Sequence, residues 1–200
     1  MQLTDLLSRI IQCNSISSIN PSIDHGNREV IDLLANTLSE LGFNCEIMDL
    51  GNNKANLIAT LGTGPGGLVL AGHTDTVPCD ESLWQSDPFQ LSERDNRWYG
   101  LGSCDMKGFF PLAIEAVKTL KVRALKQPLI IVATADEESS MSGAKALVAA
   151  GKPIARRAVI GEPTNMRPVK MHKGIMIEKL TISGSSGHSS NPALGKNAME

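Results

Sequence analysis

The residues of this chain best suited to chemistry are one histidine and a set of carboxylates, most of them placed just after short apolar runs. Gly67–Ala71 leads into Gly72-His73-Thr74-Asp75-Thr76-Val77-Pro78, Pro128–Ala135 into Asp136-Glu137-Glu138, and Ala155–Ile160 into Gly161-Glu162-Pro163. A further acidic group, Asp105, sits in the glycine-rich stretch Gly100-Leu101-Gly102-Ser103-Cys104-Asp105-Met106-Lys107-Gly108. One imidazole with several carboxylates and no thiolate is a ligand set for zinc or a similar borderline divalent ion. A carboxylate has two oxygens and can bridge two cations, which hydrolytic two-metal sites hold about 3.5–4 Å apart. Asp75, two residues from His73 on an extended segment, lies on the same side of the chain and suits the second ring N–H of a ligating histidine. Of the neighbours Glu137 and Glu138, one can ligate while the other stays free to take a proton from water.

Each motif alone is commonplace. His-x-Asp often makes a surface turn, Asp-Glu-Glu after a strand is often a solvated loop or a helix start, and Gly-Glu-Pro is a turn. Their shared placement after apolar runs gives them weight together. Gly-x-Gly ahead of Asp105 lacks both phosphate-loop endings, and no Gly-x-Ser-x-Gly elbow exposes a serine nucleophile. His188, in Gly187-His188-Ser189-Ser190-Asn191-Pro192, can donate to a developing oxyanion or can close a capping turn. His25 reads as a solvated loop group, and His172 as either structural or cleft-facing. Cys104 has no nearby histidine to activate it and reads as inert.

The elements that must position these groups follow from hydrophobic period. Leu3, Leu6, Leu7, Ile10 and Ile11 form one helical stripe, and Val30, Leu33, Leu34, Leu38 and Leu41 a second that stops at Gly42. Short strands are expected at Cys45–Leu50, Ala55–Leu61 and Gly67–Ala71. Met106–Leu120 reads as a helix burying Leu112, Ile114, Val117 and Leu120, with Pro111 delaying its start. Pro128–Ala135 is apolar enough to be covered on both faces, Ser142–Ala150 is helical up to Gly151, and Ala155–Ile160 is another buried-strand candidate. This alternation predicts an α/β fold, with helices on both faces of a largely parallel or mixed sheet and ligands at the strands' carboxyl ends. After about Lys173 a long strand through Ile175, Ile177, Leu180 and Ile182 is expected, then a Gly/Ser turn and a helix start near 195–200. That stretch reads as the beginning of a second domain, giving a catalytic domain over 1–172 and a further domain over 173–200.

Nineteen Lys and Arg against 21 Asp and Glu leave a formal charge of −2, which offers no basic field for nucleic acid or an anionic membrane. No apolar stretch is long enough to span a bilayer, and Asp5 and Arg9 interrupt any signal-peptide core. Cysteines at 13, 45, 79 and 104 show no framework spacing, so free thiols in a reducing, cytoplasmic setting are expected.

Five motifs in order, Gly-His73-Thr-Asp75-Thr-Val-Pro, Gly-Ser-Cys-Asp105-Met-Lys-Gly, Asp-Glu137-Glu138-Ser, Gly-Glu162-Pro-Thr and Gly-His188-Ser-Ser, run along essentially the whole chain. Together they resemble the zinc-dependent amidohydrolase family of amino-acid deacetylases, desuccinylases and aminoacylases. The resemblance implies a three-layer α/β/α zinc-peptidase-like catalytic domain, a mostly parallel mixed sheet and the start of a small α+β dimerisation domain. It implies two Zn2+ per active site, with Co2+ as an alternative. By position, His73 and Glu162 complete one metal site, Asp105 bridges, Glu138 ligates the second metal, Asp75 orients His73, and Glu137 is the general base and then acid. His188 is implied to steady the tetrahedral intermediate across a homodimer. The implied reaction removes the acetyl group from N2-acetyl-L-ornithine in arginine biosynthesis. The other readings are a succinyl-diaminopimelate or other N-acyl amino acid substrate, and an inactive metal-binding fragment or interaction module. Family members continue further and supply another metal-binding histidine, so the chain reads as an N-terminal portion.

Overall fold

A computed structural model describes residues 1–120, 125–171, 173, 174, 176, 178 and 180–199. They form two compact units, Met1–Asn165 and Met166–Glu200.

In the first unit, α1 (Leu3–Gln12) and α2 (Arg28–Glu40) form where the apolar stripes predict them. Leu6, Leu7, Ile10 and Ile11 are buried on α1, and Val30, Ile31, Leu34, Ala35 and Leu38 on α2. Gly42 takes a φ of +88° just after α2, a conformation that lets the chain turn directly into β1 (Asn44–Gly51). β2 (Lys54–Leu61) and β3 (Leu68–His73) follow. A short hairpin, β4 (Ser92–Arg94) and β5 (Arg97–Tyr99), turns through Asp95 and Asn96, both at positive φ. This hairpin is absent from the sequence reading because neither strand is long enough to show a period.

The third helix, α3 (Phe109–Lys118), starts three residues later than its pattern predicts. Pro111 lies in its first turn, where a missing N–H has no helical partner to lose. Burial on α3 differs from expectation. Ile114 and Val117 are buried, but Leu112 and Leu120 are exposed, because the inward stripe runs through Phe110, Ile114 and Val117 and leaves Leu112 on the other side. β6 (Leu129–Thr134), α4 (Ser142–Ala150) and β7 (Arg157–Ile160) complete the unit.

The main sheet has the order β1-β2-β6-β3-β7 and is mixed. β6, β3 and β7 are mutually parallel, while β2 runs antiparallel to both β6 and β1. Alternation along the central strands divides the interior into two layers. Leu57, Ala59, Leu129, Ile131 and Ala133 pack with α1, α2 and α3, whereas Ile58, Val69, Ile130 and Val132 pack with Leu147 of α4. Helices therefore cover both faces, and β6 is buried on both as its continuous apolar run requires. β7 departs from its prediction: all four residues are exposed, because it is the edge of the sheet with β3 as its neighbour. An apolar run cannot report whether its strand will sit at a centre or an edge.

The second unit is held locally. Ser185 and Lys196 exchange a pair of backbone hydrogen bonds at 2.9 Å, and Pro192–Leu194 makes one 3-10 turn. Of the expected long strand, Ile175, Ile177 and Lys179 lie outside the described residues, and Met176, Glu178, Leu180 and Ile182 are not in a strand. The expected helix near 195–200 is likewise absent from the described residues 195–199, and Glu200 lies outside them. Among the described residues, Met176, Leu180, Ile182, Leu194 and Met199 are exposed and supply no packing to hold either element. His172 lies outside the described residues as well.

All four cysteines are free thiols. Among the described residues, no helix is long and apolar enough to cross a membrane.

Candidate metal centre

Parallel register brings the chemistry to one edge. His73, the last residue of β3, pairs with Thr134 at the end of β6, and Ala71 pairs with Ile160 at the end of β7. The ladder continues one step through the Gly161 N–H, which donates to the Ala71 carbonyl at 3.0 Å and sets Glu162 level with His73. Gly161 is obligatory here, since a Cβ would collide with the Phe109 ring. The loop between β5 and α3 then delivers Asp105 from above. It is drawn tight by the Gly108 N–H, which donates to the Gly102 carbonyl at 3.0 Å.

The His73 Nε2 lies 3.2 Å from Asp105 Oδ1, 3.9 Å from Glu162 Oε1 and 4.0 Å from Glu137 Oε2. Two groups of three donor atoms each fall within 4.8 Å of one another: His73, Asp105 and Glu162, and His73, Glu137 and Glu138. Four of the predicted carboxylates therefore meet around the His73 imidazole. The fit to a divalent cation is chemical as well as geometric. Burial, followed by the charges of Asp105 and Glu137, raises the Glu138 and Glu162 carboxyls above their ordinary range, with His73 opposing. Carboxylates that repel one another in this way are stabilised by a shared cation. Burial alone would lower the His73 pKa, but the Asp75 side chain and carbonyl, together with Glu162, outweigh it and carry the value up to about 9. The negative charge that favours a cationic imidazole also favours a cation at Nε2.

Asp75 adopts a more elaborate position than spacing foretells. The His73 Nδ1–H donates to the Asp75 backbone carbonyl at 2.9 Å, with the carboxylate Oδ1 further away at 3.6 Å. Either contact leaves Nε2 facing the acidic cluster. The carboxylate accepts the backbone N–H groups of Glu137 and Glu138, each at 3.1 Å, and the Ser17 hydroxyl at 2.6 Å. Burial pushes the Asp75 carboxyl up, yet the hydrogen bonds from His73 and Ser17 and the imidazolium charge hold it below the usual range. Asp75 thus stays ionised and ties the β3 end to the β6 loop.

Other supporting residues were given no role by the motifs. Asp136, at φ +60°, accepts from the hydroxyls of Ser140 and Ser142 and from Lys54 at 2.8 Å, and Lys54 also pairs with Asp24 at 2.7 Å. Asn27 donates to Thr74 Oγ1 at 2.7 Å and to the Ala55 carbonyl at 2.8 Å. Lys107 is fully buried, donating to the Cys13 carbonyl at 3.0 Å, and burial lowers its pKa to about 8. Apart from Ser140 and Ser142, which lie 4 and 6 residues from Asp136, these partners are 28 to 94 residues apart in sequence, so local spacing holds no signal for them.

A cavity of about 410 Å3 opens beside the cluster, lined by Thr76, Val77, Trp84, Tyr99, Leu101 and also Asp105 and Glu138. In the second unit, the His188 Nδ1 accepts from the Ser190 N–H at 3.2 Å and lies 2.7 Å from Ser190 Oγ, the capping-turn arrangement. His25 is exposed, its Nδ1 3.0 Å from the Ile23 carbonyl.

A mixed α/β sheet with an imidazole–carboxylate cluster at its parallel strand ends defines a metal-site scaffold, and comparison with known proteins gives it a family. Residues 69–196 match the model of peptidase family M20/M25/M40, and the chain belongs to that family. It is 51% identical over 197 residues to acetylornithine deacetylase of Pasteurella multocida (98% of this chain, 52% of that protein). It is 50% identical over 198 residues to acetylornithine deacetylase of Photorhabdus laumondii (98% of this chain, 51% of that protein). The chain thus spans about half the length of the curated relatives it matches. Among solved structures, human carnosine dipeptidase 1 matches 79% of this chain and 38% of its own, with a TM-score of 0.65 and 26% identity. An M20 family metallo-carboxypeptidase of Sulfolobus solfataricus shares the fold, with a TM-score of 0.69 at 20% identity over 80% of this chain and 37% of its own.

Proposed function

We propose that the protein is a metal-dependent amide hydrolase that removes the acetyl group from N2-acetyl-L-ornithine, releasing L-ornithine and acetate. The observation that carries this reading is the meeting of His73, Asp105, Glu137, Glu138 and Glu162 at one sheet edge. The substrate is supported by relatives of about 50% identity that bear the name acetylornithine deacetylase.

In this reading His73 and Glu162 would hold one zinc ion, Glu138 would hold a second, and Asp105 would be shared between them, with cobalt as an alternative metal. Zinc bound there supplies a Lewis acid that polarises a carbonyl and brings the pKa of water from 15.7 to about 7. The chain's own residues do the rest. Asp75 fixes the imidazole so that Nε2 faces the acids. Glu137 takes a proton from the attacking water on a carboxylate oxygen and returns it to the leaving amine nitrogen. The cavity lined by Trp84, Tyr99 and Val77 receives the substrate's aliphatic portion, where apolar contact replaces water. His188 of a partner subunit donates to the tetrahedral oxyanion in a cytoplasmic homodimer.

The test is turnover by the natural protein loaded with zinc or cobalt, followed as free amine released. N2-acetyl-L-ornithine is expected to give the highest kcat/KM in a panel that includes N-succinyl-diaminopimelate and other N-acyl amino acids. A higher value for the succinyl compound overturns the substrate, and no hydrolysis of any panel member after metal loading overturns the activity.

A further inference from the structure

The N-terminal segment just after α1 lies against the metal centre. Ile16 and Thr76 form a parallel bridge; the Ser17 N–H donates to the Thr76 carbonyl at 2.9 Å and the Thr76 N–H to the Ser15 carbonyl at 3.0 Å. Ser15 adds its hydroxyl to the Thr74 carbonyl at 2.7 Å. Residues 15–17 thus make an isolated parallel bridge to the chain that continues β3 past His73. Its side-chain link to the chemistry is Ser17, whose hydroxyl donates to Asp75 Oδ2 at 2.6 Å.

We infer that Ser17 is a positioning residue of the metal centre, acting through Asp75. This rests on the metal-dependent reading above. The carboxylate of Asp75 is buried, and its two oxygens are shared among four groups. Oδ1 faces the Glu137 N–H and the His73 ring, and Oδ2 faces the Glu138 N–H and the Ser17 hydroxyl. A buried ionised carboxylate needs its lone pairs occupied, and an empty position lets it turn. Ser17 is 2% exposed, so water cannot replace its hydroxyl without a local opening. Loss of that donor therefore loosens the His73 ring and the backbone of Glu137 and Glu138 at the same time. Sequence spacing hides this link, because 58 residues separate Ser17 from Asp75.

The experiment compares the natural protein with Ser17→Ala, Ser17→Thr, Asp75→Asn and the Ser17→Ala/Asp75→Asn double variant. It reads zinc affinity by chelator competition, and kcat and KM per folded, zinc-loaded molecule. Ser17→Ala is expected to weaken zinc retention by about tenfold and to lower kcat while KM stays within about twofold, the range found for partners of metal ligands. Ser17→Thr keeps the hydroxyl and is expected to recover most of the zinc affinity. On the Asp75→Asn background, Ser17→Ala is expected to add less than a further twofold, since the carboxylate it acts through is gone. Zinc affinity and kcat within twofold of the natural protein in Ser17→Ala, with only a lower Tm, would overturn the inference. So would a full tenfold effect of Ser17→Ala on the Asp75→Asn background. If the natural protein itself takes up no zinc, the metal-dependent reading fails and this inference with it; zinc uptake by both the natural protein and Ser17→Ala with equal affinity sinks this inference alone.

Discussion

The two halves of the candidate centre are built differently. The side chains of His73 and Asp75 are each 1% exposed and enclosed by hydrogen bonds from β3, the β6 loop and the segment after α1. The acids that face them are open: Asp105 is 54% exposed, Glu137 40% and Glu162 38%. The buried half is held by the fold, so its geometry exists before any ligand arrives. The open half consists of carboxylates on loops that repel one another and are drawn together by positive charge. A site divided in this way keeps one donor rigid and lets the others adjust to the ion and the substrate.

Several experiments separate the halves. Replacing Glu137 by Ala touches the open half and, in the proposed mechanism, the proton carrier. Turnover is expected to fall by about 10²–10⁴-fold with zinc content and Tm near normal; a variant that keeps most of its rate removes Glu137 from that role. Replacing Asp75 by Ala touches the buried half and leaves the Glu137 and Glu138 N–H groups and the Ser17 hydroxyl without their acceptor. A loss of about 3 kcal/mol in unfolding free energy is expected in denaturant titration even without metal. A metal-free stability that does not change would show that this half is not pre-built.

The effect of pH tests the electrostatics of both halves together. In the metal-free protein His73 has a folded pKa of about 9, raised above the ordinary imidazole value near 6.5. Its contribution to stability is therefore fully present below about pH 6.5 and is lost as pH rises through 9. Zinc must displace that proton, so zinc affinity is expected to rise by up to about tenfold per pH unit across the same interval. The thermal shift on adding zinc should grow accordingly between those limits, and a flat profile would contradict the raised pKa. The smallest effect belongs to Asp105→Asn without metal. Its exposed carboxylate predicts a stability change within about 0.5 kcal/mol by chemical denaturation, beside a clear loss of zinc affinity. A large destabilisation would erase the contrast between the halves.

The open half was the more legible of the two in the sequence. Glu137, Glu138 and Glu162 announce themselves as polar residues directly after apolar strands, and the rule that ligands gather at carboxyl ends joins them to His73. The buried half was read only in part. Spacing found His73 and Asp75 but gave Asp75 one duty, whereas the fold gives it three further donors. Ser17, Lys54 and Asn27 went unread because they act across long separations. The errors on Leu112, Leu120 and β7 share a cause: an apolar residue declares what it prefers, while its neighbours decide whether that preference is met.

Local pattern, then, determined the helices of the first unit, the order along the chain of the five strands of its main sheet and the donor chemistry that follows them, since each depends on residues close in sequence. Tertiary structure alone decided the sheet order β1-β2-β6-β3-β7, which places the ends of β6, β3 and β7 side by side. It also decided which carboxylate became a buried anchor and which stayed exposed. Hydrogen bonding and desolvation depend on distance through space, and nothing in the spacing of residues along a chain specifies that distance.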